Sequence, residues 1–160
     1  MTTKSDFTDE EWTRVVRAPF VAGMAVSLAD PGGPVEATKE TLATLDIARN
    51  PPSGEQLLAE VAREVHAMTE QKRSPLGGYR PTAEGAHWGE QVIEELRAVR
   101  ALVTARAAPG EAAAFGEWVV AAAHAAADAV KEGGFLGIGA QQVSEREEAM
   151  LQRVRAAVTG

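Results

Sequence analysis

The imidazole and thiol chemistry open to this chain is set by three histidines, His66, His87 and His124, and by the lack of any cysteine. Without cysteine there are no disulfides, thiolate zinc sites, iron–sulfur clusters or thiol nucleophiles. The most suggestive spacing is His124 with Asp128, four residues apart in a helical stretch that also places Glu117 and Lys131 on the same arc. Such a pair can chelate a metal ion or orient an imidazole for proton transfer. Phe115, Val119, Ala122 and Ala126 occupy the opposite arc, so a helix that turns one charged stripe to water explains the pattern more simply. Glu84 and His87 have the Glu-x-x-His spacing of di-metal carboxylate bundles, but those need two such motifs and further glutamates, and the chain offers one. Serine chemistry has no Gly-x-Ser-x-Gly elbow to rest on. The glycine-rich stretch Gly133–Gly139 lacks the Lys-Ser/Thr of a phosphate-binding loop. Its Phe135, Leu136 and Ile138 are costly to leave in water, so they are expected either to bury within the fold or to dock on a partner.

The elements that must position these residues read as helices. Apolar residues recur at helical spacing, period-two alternation is absent, and aromatic residues are only 5% of the chain. We read six. The first starts at Thr8, where Thr8-Asp9-Glu10-Glu11 forms a capping box and Phe7 can staple onto Trp12, and it runs to about Leu28 with a kink or split at Pro19. Pro34 opens a second helix to about Ala48. Ser53 with Gln56 caps a third, whose Leu57, Leu58, Val61, Val65 and Met68 form one apolar stripe. A turn-rich stretch from Lys72 to Pro81 follows and is the expected mobile loop. The fourth helix runs from about Thr82 to Ala107, the alanine-rich fifth from about Glu111 to Lys131, and Ser144 with Glu147 caps the sixth. The expected fold is therefore all-α, one compact bundle of about six helices over residues 1–160, with 1–7 and 159–160 frayed and the first and fifth helices near the centre.

The formal net charge is −7, the wrong sign for holding nucleic acid or anionic lipid through a broad field. The apolar run Ala18–Ala29 is too short to span a bilayer, which takes roughly 20 residues. Asp6, Asp9, Glu10 and Glu11 crowd the region that a secretory leader keeps positive, so a cytoplasmic location is expected.

The first and last helical hairpins echo one another. Glu11-Trp12 and Glu117-Trp118 each open a small-residue helix that ends in an acidic, glycine-rich turn, and a second capped helix follows. Two related hairpins about a pseudo-two-fold axis would explain the echo. In Ala29-Asp30, Gly33 and Val35-Glu36, and again in Val143-Ser144-Glu145, the chain resembles the tellurite-resistance TerB-like family. Pro31 and Pro34 depart from the family's usual turn, and the second copy has Glu132 in place of Asp with an insertion after it. The resemblance implies an all-helical, stress-associated cytoplasmic protein in which Asp30 and Glu36 bind a divalent cation. Hard cations take six to eight oxygens, more than this turn supplies alone. Asp30 as a turn residue and Glu36 as the partner of a helix N-terminus form the simpler alternative. The expected function is thus a non-enzymatic binding module, with a divalent metal ion as the candidate cofactor. A homo-oligomeric or partner-docking helical protein is the alternative, and an enzyme using His124 and Asp128 comes third.

Overall fold

The structure, a computed structural model, describes residues 1–82, 85–131 and 143–160. Thr8 begins the first helix, α1 (Asp9–Ala29), as its sequence requires: its hydroxyl accepts the Glu11 N–H at 3.1 Å while the Glu11 carboxylate accepts the Thr8 N–H at 2.9 Å. Phe7 and Trp12 close the staple with ring centroids 5.7 Å apart. The helix does not split at Pro19, which lies buried inside it. One missing backbone bond costs about 3 kcal/mol, and the burial of Val15, Val16, Phe20 and Val21 around it, worth roughly 1.5–3 kcal/mol each, outweighs that.

Five further α-helices follow among the described residues: α2 (Pro34–Arg49), α3 (Gln56–Glu70), α4 (Trp88–Arg106), α5 (Pro109–Lys131) and α6 (Glu145–Thr159). All are packed into one helical bundle, with no strand among the described residues. Helices α1 and α5 each touch the other five. Alanine and glycine make this crowding feasible: Ala122, Ala123 and Ala126 of α5 are buried, and Gly116 brings α5 against the α6 backbone.

Several boundaries differ from expectation for local reasons. Ser53 does not cap α3, which begins three residues later. The N–H of Leu57 in its first turn is instead accepted by the Glu111 carboxylate from α5, at 3.3 Å. Helix α4 begins at Trp88, not Thr82, because Gly85 takes a left-handed conformation (φ +61°) that no α-helix contains, and a 3-10 turn over Gly85–His87 leads in. Helix α5 starts earlier than Glu111, since Pro109 suits a first helical position. Residues 1–7, expected to fray, are docked. Thr2 is buried, its hydroxyl donates to Glu111 at 2.5 Å, Lys4–Asp6 form a 3-10 turn, and Phe7 joins the core. Ser144 caps α6 as expected, accepting the Glu147 N–H at 3.2 Å.

The two hairpins do not pack equivalently. Helix α2 lies along α5 far more extensively than α6 lies along α1, although an axis exchanging the hairpins would make these contacts equal. Their tryptophans also differ: Trp12 donates to the Glu64 carboxylate at 3.4 Å, and Trp118 to the Ile47 carbonyl at 2.8 Å.

Candidate functional site

A cleft opens where α4 ends, α5 begins and α6 terminates. It encloses about 340 Å³, and its walls are apolar, with Val103, Ala107, Ala112, Phe115 and Val158 lining it. It exists because Ala107, Pro109, Ala112 and Ala113 are too short to fill the space between the three helix ends. Arg100, Thr104, Glu117 and Thr159 supply its polar edge. Glu117 accepts from Arg155 at 3.2 Å, whereas Arg100 is exposed and makes no ion pair among the described residues. The cleft therefore carries one uncompensated guanidinium above hydrocarbon walls.

A smaller cleft, about 140 Å³, lies between α1, α2 and the loop of residues 72–81. Glu40 lines it and is only 5% exposed. Burial pushes the Glu40 carboxyl above the usual carboxylate range. The neighbouring Ser27 hydroxyl opposes this, and the negative charges of Glu147 and Glu36 add to it.

The loop of residues 72–81, expected to be mobile, is held at two points. Leu76 and Tyr79 pack against the core, and the Arg17 guanidinium sits 4.6 Å from the centre of the Tyr79 ring. Beneath it, Glu95 of α4 accepts two hydrogen bonds from Arg14, at 3.0 and 2.9 Å, and one from Arg17 at 3.0 Å. Burial alone would push Glu95 up, but the two arginines hold it below the ordinary carboxylate range. The Tyr79 phenol is pushed up by burial and by Glu95. This cluster ties the loop to α1 and α4.

The residues singled out in the sequence fall elsewhere. Asp30 is the C-terminal cap of α1, and Glu36 stands in the first turn of α2, where its side chain folds back over Gly32 and Gly33. Glu36 thus stands at the favourable, positive end of the α2 dipole, whereas Asp30 stands at the negative end of α1. Among the described residues no group of three or more His, Asp or Glu is arranged to hold a metal. His124 and Asp128 are both exposed along α5 and line neither cleft. His87 is exposed at the end of the 3-10 turn, and its companion Glu84 lies outside the described residues. So do Phe135, Leu136 and Ile138, and Glu132 with the glycine stretch. Among the described residues, no helix is long and apolar enough to cross a membrane. Sequence reasoning missed Arg100 and Glu40. The visible signal for Glu40 was a carboxylate on the Thr44 and Ala48 face of α2; Arg100 had none beyond its place near a run of small residues. Compared with family models, with characterised proteins and with solved structures, the chain matches none.

Proposed function

We propose that this protein is a non-enzymatic binding module that holds a small apolar carboxylate in the cleft between α4, α5 and α6. The observation that supports it is the combination of an apolar cavity of about 340 Å³ with the unpaired guanidinium of Arg100 on its polar edge. That size lies at the lower end of small-molecule sites, roughly 300–1,000 Å³, which are commonly apolar with a few polar groups fixing orientation. Hydrocarbon removed from water against Val103, Phe115 and Val158 supplies affinity, at roughly 25 cal/mol per Å² buried. Arg100 selects the charge, since its planar donors match a carboxylate. The residues lining the cleft bring hydrocarbon, hydroxyls and charged groups but no imidazole, which suits retention of a ligand more than its chemical conversion.

Thermal unfolding with hexanoate tests this, because a ligand that binds only the folded state raises its midpoint. Hexanoate is expected to raise the midpoint saturably. Arg100→Gln should weaken binding by about tenfold, the equivalent of one charge-assisted hydrogen bond. Ala113→Trp, which fills the cleft from its rim, should abolish the shift. No shift in the wild type, or an equal shift in Ala113→Trp, contradicts the assignment.

A further inference from the structure

The smaller cleft presents a problem the fold does not need. Glu40 is 5% exposed, yet no Lys, Arg or His pairs with it among the described residues. The charges that act on it are Glu36 of its own helix and Glu147 of α6, both negative, while α1 contributes only the Ser27 hydroxyl. A buried carboxyl is costly, and no opposite charge nearby offsets it. An apolar residue in its place would pack against Phe20 and Met24 without that cost.

The rest of the lining is equally one-sided. Three hydroxyls surround the cleft, and each already spends its proton on a backbone carbonyl four residues earlier. Ser27 donates to Gly23 at 3.2 Å, Thr41 to Ala37 at 2.9 Å, and Thr44 to Glu40 at 2.9 Å. A hydroxyl has one proton to give and two lone pairs to offer. What the hydroxyls leave to an occupant is therefore acceptor capacity, and an ionised Glu40 adds only acceptor oxygens. Phe20, Met24 and Leu76 complete the walls with apolar surface. Gly23 lets α1 approach α2 closely beside the cleft, since a Cβ there would stand 2.5 Å from the Thr44 hydroxyl.

We propose that this cleft is a second binding site, separate from the carboxylate site, for a small primary alkylammonium ion whose charge is met by Glu40. The ammonium group has three donors and no acceptor, which complements acceptors only, and its short alkyl chain lies against Phe20, Met24 and Leu76. The Glu40 carboxylate accepts N–H donors from the ligand. A hard divalent ion would require several more oxygens than one carboxylate and three hydroxyls provide. The negative field of Glu36 and Glu147 also disfavours an anion.

The test is calorimetric titration of the full chain with propylammonium chloride, with potassium chloride at equal ionic strength as the comparison. Wild type should bind propylammonium saturably and show no matching heat with potassium. Glu40→Gln keeps the shape and removes the charge. It should fold at least as stably as the wild type and bind more than about tenfold more weakly, as expected when one partner of a buried charge pair is lost. Ala37→Leu leaves Glu40 in place and fills the cleft from the exposed side of α2, so it should also abolish binding. Absence of saturable binding to the wild type, equal binding by Glu40→Gln, equal binding by Ala37→Leu, or an equal response to potassium would each overturn the proposal.

Discussion

Glu111 is buried but fully engaged. Its oxygens accept the Thr2 hydroxyl at 2.5 Å, the Thr2 N–H at 3.2 Å and the Leu57 N–H at 3.3 Å, so one side chain of α5 both caps α3 and holds the N-terminal segment. Burial by itself would raise its proton affinity, but these hydrogen bonds win and hold it below the ordinary carboxylate range. A depressed folded value means that the unfolded chain binds the proton more readily. The stabilisation is therefore complete above the ordinary glutamate value of about 4.3 and is lost as pH falls through the depressed folded value. Glu111→Ala leaves the Leu57 N–H unpaired and should cost about 3 kcal/mol at neutral pH in a denaturant titration, with a smaller cost in acid. A cost independent of pH would mean that packing, not the charged acceptor, accounts for the loss. Glu40 has the opposite sign, because burial without an opposite charge raises its carboxyl above the usual carboxylate range.

At the scale of elements, the close approach of α5 and α6 depends on Gly116. A Cβ at that position would stand 2.4 Å from the Val158 carbonyl oxygen, and backbone cannot swing aside as a side chain can. Gly116→Ala should therefore destabilise the chain by about 2 kcal/mol, despite alanine's higher helix propensity, as read from the midpoint of urea unfolding. Unchanged or increased stability would show that the two helices separate without cost. Helix identity was legible in the sequence because caps and apolar stripes are local: Thr8 with Glu11, Ser144 with Glu147, and the stripe from Leu57 to Met68 all reappear in the structure. Boundaries set by distant partners were not. The start of α3 depends on Glu111, fifty-four residues away, and no local pattern near Ser53 carries that information. Residues 1–7 looked frayed for the same reason, since Thr2 finds its acceptor on α5.

For the molecule as a whole, the candidate sites lie where helices fail to fill the space between them, and such places depend on how elements meet. His124 with Asp128 and Asp30 with Glu36 drew attention through spacing along one segment, yet the first pair is exposed and Glu36 folds onto its own helix terminus. Arg100 gained interest only once α4, α5 and α6 were brought together around it, and Glu40 only once α1 and the loop of residues 72–81 covered it. The cleft between α4, α5 and α6 is the proposed carboxylate site. Its most direct test is an amide NMR titration of the isotopically labelled full chain with hexanoate. Saturable shifts concentrated at Val103, Thr104, Ala112, Ala113 and Val158 are expected, and they should be lost in Ala113→Trp. Shifts that do not saturate, or that spread over α2 and α3 while leaving these residues unmoved, would contradict it.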